Sequence, residues 1–407
     1  MERPYLLYLA LLLHDSGKAA HEGKHAEISA QLAQKVAKRF ALDGATTHAL
    51  RLIIEMHLPM AQVSQQRDLD DPAVIRSFSA QIQTVQNLQM LTLHSFADAQ
   101  ATSNKLWNGF KDSLLWQLYN RALVVLEGGG DFVRVEERQR ELLADETRRL
   151  LPRTFSTEEV DAHFATLPPH YFLIHPAKDI VADLMLAHRF MHHQLAEEDK
   201  ALEPVLSWHN EPDRGYTACK VCTWDRAGLF SKLTGSFAAA GMNILSAQVF
   251  TRTDGIVLDT FYVIDARSGE LVSREGRDQF EALLLKVLTE GTVDFRAIIA
   301  RQKTARPLYQ SLEGERIPTR IQFDNDTSEN RTVIDFETED RLGLLYVISQ
   351  ALSELEVDIS LAKISTEKGA AIDSFYVSEM EGGKIVEPDR QEAIEAHLRA
   401  ALAPMDH

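Results

Sequence analysis

Residues 224–264 read WDRAGLFSKLTGSFAAAGMNILSAQVFTRTDGIVLDTFYVI, and residues 339–379 read EDRLGLLYVISQALSELEVDISLAKISTEKGAAIDSFYVSE. These are one pattern written twice. The offset is 115 residues at Asp225/Asp340, Gly228/Gly343 and Asn243/Asp358, and 114 at Asp259/Asp373 and Phe261/Phe375. A one-residue slip over so long a match marks a duplicated unit rather than coincidence. Each copy reads as strand, D-R-x-G-L turn, helix, strand, turn and strand, and closes on a second helix, RDQFEALLLKVL (277–288) or RQEAIEAHLRAAL (390–402). That order predicts a ferredoxin-like βαββαβ sandwich of about 80 residues in each copy. The two copies are placed at 209–300 and 329–407, with a polar, turn-rich linker at 301–328.

Upstream the texture is different. Across residues 1–125, HAEISAQLAQKVAKRFAL, ATTHALRLIIEMHL, DPAVIRSFSAQIQTVQNLQMLTLHSFADAQAT and WNGFKDSLLWQLYNRALVVLEG carry apolar residues at three- and four-residue intervals, which predicts helix after helix. Gly128-Gly129-Gly130 punctuates the chain. A helical connector over 126–208 follows, holding VRVEERQRELLADETRRLL, a helix capped by Ser156 with Glu159 three residues on, and a Pro168-Pro169 break. The fold class is therefore read as α+β: an all-helical amino-terminal domain and connector, then two βαββαβ domains.

Composition excludes several roles. The chain has 407 residues and a net charge of −17, so a phosphate backbone is not its natural partner, because such binding runs on clustered Lys and Arg. The apolar run Leu6 to Leu13 carries no cleavage site and stops far short of the roughly 18 residues of a membrane span. Neither nucleic acid nor membrane is expected as a partner, and the expected location is cytoplasmic. Cys219 and Cys222 lie at i, i+3 on a strand-like stretch, pointing to opposite faces. Without further ligands beside them they do not make a zinc site and read as small buried apolar residues.

Two sets of residues carry chemistry. A divalent ion acting on a phosphodiester needs several N and O ligands on rigid elements. His14 and Asp15 are adjacent at the end of a helix, His25 follows a short loop, His57 ends LRLIIEMH, and Asp98 lies in the apolar helix MLTLHSFADAQAT. A single helical His is an ordinary structural residue, whereas an adjacent His-Asp pair with later His and Asp is a candidate ligand set. In each D-R-x-G-L turn, Asp225 or Asp340 can cap the helix. Gly228 or Gly343, ahead of Leu229 or Leu344, lets a ligand reach the backbone N–H groups at the helix start. A carboxylate could sit there with Asn243 or Asp358 facing its ammonium group. The same residues also read as turn and cap chemistry alone, and spacing by itself favours that plainer reading, since a lone Gly turn is a weak signal.

Each copy resembles an ACT domain, a small-molecule-sensing module that often binds amino acids between paired units. IPTRIQFDNDTSENRTVIDFETEDRLGLLY (317–346) and AKISTEKGAAIDSFYV (362–377) closely resemble the carboxy-terminal segment of the PII uridylyltransferase/uridylyl-removing family, which senses glutamine through its ACT pair. The amino-terminal half resembles the HD superfamily of metal-dependent phosphohydrolases, in its uridylyl-removing branch. LLYLALLLHDSGKAAHEGKHAEISA (6–30) carries HD-x-x-K and G-x-H-x-E. HLPMAQVSQQRDLDDPAVIRSF (57–78), ADAQATSNKLWNGFKDSLLWQLY (97–119) and LPPHYFLIHP (167–176) are similar to further segments of that family.

The resemblance implies that His14, Asp15 and Asp98 bind Mg2+ or Mn2+, with His25 and His57 completing the site. It implies that Asp15 and Lys18 serve catalysis, Lys18 steadying charge on the phosphoryl group, and that glutamine is an allosteric effector bound at Asp225, Gly228, Leu229, Asn243, Asp340, Gly343, Leu344 and Asp358. The implied partner is the PII signal protein, with a homodimer through the ACT domains a further expectation. Two departures qualify this. The family's first metal ligand is a His upstream of the HD pair, and residues 1–13 contain none, so metal is expected to bind more weakly. The family's nucleotidyltransferase domain, with a Gly-Ser turn before Asp-x-Asp, is absent; Asp68-Asp70 and Asp324-Asp326 do not follow such a turn. The expectation is a truncated, carboxy-terminal portion that removes uridylyl groups and does not transfer them. Its rivals are a non-catalytic amino-acid sensor on a degenerate HD scaffold and an HD hydrolase of guanosine polyphosphates.

Overall fold

The computed structural model describes residues 3–19, 25–69, 71–102, 109–127, 132–152, 154–168, 171–196, 203–291, 293–302, 317–367 and 370–406. Gly23, Lys24, Asp70, the Gly128-Gly129-Gly130 run, Pro169 and linker residues 303–316 lie outside them. Among the described residues no helix is long and apolar enough to cross a membrane. The chain divides into two compact units, 1–131 and 132–407.

The first unit is helical: α1 (Pro4–Leu13), a 3-10 turn (Ser16–Ala19), α2 (His25–Arg39), α3 (Gly44–Gln66), α4 (Pro72–Ile82), α5 (Val85–Thr102) and α6 (Gly109–Leu126). Asp43 caps α3 by accepting from the Thr46 backbone N–H at 2.8 Å. Leu6 and Ala10 of α1, Leu50, Ile53 and Ile54 of α3, Leu88 and Leu91 of α5 and Leu118 of α6 are buried.

Two readings need correction here. The stretch 71–102 reads as one helix, but Gln83 takes φ +70° and ends α4 two residues before α5 starts. His57 reads as a helix end, yet α3 runs on through Pro59 to Gln66. Ile53, His57, Met60 and Ser64 form one buried stripe at helical spacing, and its packing outweighs the hydrogen bond lost at the proline.

The second unit opens with α7 (Phe132–Leu150), α8 (Thr157–Thr166), α9 (Tyr171–Ile174) and α10 (Ala177–Ala196). Then come β1 (Val205–Glu211), β2 (Tyr216–Trp224), α11 (Leu229–Ala239), β3 (Met242–Gln248), β4 (Ile256–Asp265), α12 (Arg274–Thr289) and α13 (Phe295–Gln302). The second repeat supplies β5 (Arg320–Asp324), β6 (Thr332–Glu339), α14 (Leu344–Glu354), β7 (Val357–Lys363), β8 (Thr366–Glu367), β9 (Ala370–Glu379) and α15 (Pro388–Leu402).

All strands join one antiparallel sheet in the order β1-β2-β4-β3-β7-β9-β6-β5, with β8 on β9. The repeats meet at β3 and β7, where Ser246, Ala247 and Gln248 pair with Lys363, Ala362 and Leu361. Each seam strand shifts register at the corresponding place, Leu245 in β3 and Ser360 in β7. These two carbonyls accept from Ile364 and Val249 of the opposite repeat, so the pairing is symmetric.

The fold class is α+β as the sequence indicated, but strand order within each repeat differs from the βαββαβ reading. The fourth strand, β1 or β5, precedes the first helix and hairpins onto β2 or β6 instead of following the last helix. Hence β1 starts inside the stretch read as connector, and β5 lies inside the stretch read as linker. β1 is a sheet-edge strand with mostly part-exposed residues, and β5, at the other edge, is shorter still and as polar, so neither shows a hydrophobic run to read.

One core covers both repeats, from Phe237 and Phe261 in the first to Phe336 and Phe375 in the second. The opposite sheet face of the first repeat, with Cys222, Ile256 and Leu258, packs on Tyr171, Leu184 and Phe190 of the connector. Beneath it Asp183 accepts from the Tyr171 hydroxyl at 2.7 Å and pairs with Lys220 of β2. Cys219 and Cys222 are free thiols, one in each core, and burial pushes both well above the ordinary thiol range.

Candidate metal centre

Four helices and a turn deliver the donors. His14 follows the last residue of α1, Asp15 and Lys18 belong to the turn after it, His25 opens α2, His57 sits mid-way along α3 and Asp98 lies on α5. Gly17 makes the turn this tight. A Cβ there would stand 2.3 Å from the His25 carbonyl oxygen, and its N–H donates to Ser29 Oγ at 2.8 Å. His14 Nε2 lies 3.3 Å from Asp98 and 3.4 Å from Asp15, and His25 Nε2 lies 3.8 Å from Asp15.

Donor atoms of His14, His57 and Asp98 fall within 4.8 Å of one another, and so do those of Asp15, His25 and His57. The two groups share His57. His14 Nδ1 faces the Leu11 carbonyl at 2.8 Å and His57 Nδ1 the Ile54 carbonyl at 2.6 Å. Each Nδ1 therefore carries the proton, and each Nε2 lone pair is left for the centre. The close approach of the Asp98 carboxylate holds His14 above the usual imidazole range, and the imidazole holds Asp98 below the usual carboxylate range. Burial pulls His57 down. Lys18 Nζ lies 2.5 Å from Asp15 and is largely exposed.

The D-R-x-G-L turns differ from their sequence reading. Gly228 (φ +68°) and Gly343 (φ +86°) are themselves the N-cap residues of α11 and α14, so Asp225 and Asp340 do not cap these helices. Leu229 and Leu344 are the first helical residues, both buried. A Cβ on Gly228 would approach Ser353 Oγ of the other repeat at 3.3 Å, and one on Gly343 would approach Ile299 at 3.2 Å. Asn243 and Asp358 lie at the starts of β3 and β7. Asp358 belongs with the opposite turn: partial burial pushes its carboxyl up, Arg331 at 3.7 Å pulls it down, and Asp225 adds to the rise. The Asp225 turn thus faces residues of the second repeat.

A family model for ACR9-like, ACT-like domains matches residues 320–405, starting at β5. Along nearly its whole length the chain is similar to bifunctional uridylyltransferase/uridylyl-removing enzymes. It is 34% identical to that of Gluconobacter oxydans over 97% of this chain and 41% of the relative. The figures are 32%, 98% and 41% for Azospirillum brasilense and 31%, 97% and 41% for Rhodospirillum rubrum. The chain fits the carboxy-terminal portion of these enzymes. It spans about two-fifths of the length of the curated relatives it matches. No solved structure matches it.

Within the first unit, the donor set fits a divalent cation. His14 Nε2 is buried without a well-directed hydrogen bond, although two carboxylates stand within 3.4 Å. Mixed imidazole and carboxylate donors on separate rigid helices suit such an ion. Sequence reasoning missed one member of the cluster. His94 of α5 is fully buried, with its ring centre 5.0 Å from that of His14 and 5.5 Å from that of His57. Its signal was the i, i+4 spacing to Asp98, which places both on one helix face.

Proposed function

We propose that this chain removes uridylyl groups from PII protein by metal-dependent hydrolysis of a tyrosyl phosphodiester, under control of glutamine. The observation that carries the reading is the pair of three-donor groups sharing His57. His14, His57 and Asp98 would hold one divalent cation, Mg2+ or Mn2+, and Asp15 and His25 would extend the site. When bound, the cation supplies Lewis acidity toward a phosphoryl oxygen and lowers the pKa of a water.

The side chains supply the rest. The Leu11 and Ile54 carbonyls fix the two imidazole tautomers. Asp15 anchors Lys18 at the rim, from where the ammonium can turn to neutralise charge developing on the phosphodiester. Glutamine would bind at the seam of the two repeats, its carboxylate at the N–H groups after Gly228 and its ammonium group toward Asp358. Such binding favours hydrolysis if the active arrangement binds glutamine more tightly.

Uridylylated PII incubated with the chain and Mn2+ should release UMP. Asp98→Ala should lower the rate by at least about a hundredfold, the scale of losing a group that holds the reacting centre. Release that is unaffected by Asp98→Ala or by chelation would sink the assignment.

A further inference from the structure

His94 is buried completely, and among the described residues neither of its ring nitrogens has a hydrogen-bond partner. The carbonyl of Ala10 is near, without hydrogen-bonding geometry. Buried imidazoles are ordinarily satisfied, and one with both nitrogens orphaned calls for an explanation. Its surroundings give one. The ring centres of His14, His57 and His94 form a nearly equilateral triangle, with sides of 5.2, 5.0 and 5.5 Å. Imidazoles bound to one ion through nitrogens at ~2.0–2.1 Å have ring centres about 3.2 Å from it, hence about 5–5.5 Å apart at tetrahedral to trigonal angles. Asp98 stands one helical turn beyond His94 on the same face of α5.

We infer that His94 is a ligand of the cation at this centre, giving the donor set His14, His57, His94 and Asp98. This rests on reading the centre as a cation site. It asks His94 for a ring rotation, because its nitrogens are not among the donor atoms already gathered. Three imidazoles and one carboxylate shift the preferred occupant from Mg2+, which favours oxygen donors, to a later transition ion such as Co2+ or Zn2+.

The test is Co2+ and Mg2+ titration of the full chain and of His94→Leu by calorimetry, with Co2+ visible absorption recorded in parallel. Leucine fills the same space without nitrogens, and thermal melting of the metal-free proteins reports whether the variant folds. A Co2+ Kd raised at least ten-fold, an altered Co2+ band and unchanged Mg2+ binding support the assignment. Equal Co2+ affinity and an identical band in a folded variant overturn it alone, provided His14→Ala abolishes binding. A wild-type chain that binds no Co2+ overturns the cation reading as well. If His94→Leu does not fold, pulsed EPR of the wild-type chain at one equivalent of Mn2+ decides. Couplings to three imidazoles support the inference, and couplings to two overturn it.

Discussion

At the residue scale, Gly17 sets the geometry of the centre. Its neighbours leave no room for a side chain, since a methyl group would meet a backbone carbonyl and the Ser29 N–H and hydroxyl at 2.3–2.9 Å. Gly17→Ala must therefore push the turn off the start of α2, moving His25 from Asp15. We expect a loss of about 1–3 kcal/mol in urea unfolding, the usual scale of overpacking, together with weaker Mn2+ binding. A variant with unchanged stability and affinity would show that the turn is free to shift. The sequence made these candidate donors legible, because His14 and Asp15 are adjacent and Asp98 stands out from the small residues beside it. His94 was hidden for the opposite reason: one His within MLTLHSF reads as core, and only the approach of α1 and α3 gives it partners.

At the element scale, the strands carry a duplicated oddity. Asp259 of β4 and Asp373 of β9 occupy corresponding positions and are both buried. Asp259 accepts from the Phe250 N–H and Asp373 from the Ser365 N–H, each at 3.3 Å. Burial pushes both carboxyls well above the ordinary range, with Asp225 and Asp358 adding to the first and Asp340 to the second. A raised folded-state value means that the folded protein holds the proton more tightly than the unfolded chain. The associated stability is complete below the ordinary carboxylate value near pH 4 and is lost as pH rises toward the folded value.

Asp373→Asn mimics the protonated form and keeps the acceptor for Ser365. It should match the wild type near pH 4 and exceed it by about 1–3 kcal/mol at pH 7, the scale of a poorly compensated buried polar group. Denaturant unfolding at several pH values checks this, and a gap independent of pH would refute it. The repeats themselves were legible at this scale, because strand, turn and helix periods recur at one offset. The edge strands β1 and β5 were not, because short, half-exposed strands lack the apolar signal that periodicity reads.

At the scale of the whole molecule, the sequence indicated two repeats but not that β3 and β7 fuse them into one sheet. Which edges join is a long-range choice made by packing. That fusion, the Thr234–Ser349 hydroxyl contact at 2.9 Å and the common core make the two repeats one structural body. Scanning calorimetry of the 407-residue chain should accordingly show two transitions, one for each compact unit, and no separate melting of the two repeats. Mn2+ should raise one transition and glutamine the other, each by a few degrees at a hundredfold excess over Kd, corresponding to about 2.7 kcal/mol of linkage. Asp98→Ala should abolish the first shift without touching the second, which assigns the transitions. The proposed control of the metal centre by glutamine makes a stricter demand. Linkage is reciprocal, so a change in Mn2+ affinity caused by glutamine must equal the change in glutamine affinity caused by Mn2+. Equal factors that differ from unity in the two titrations establish communication between the units. If both factors are unity, glutamine does not act through occupancy of the metal centre, and that route for the proposed control is refuted.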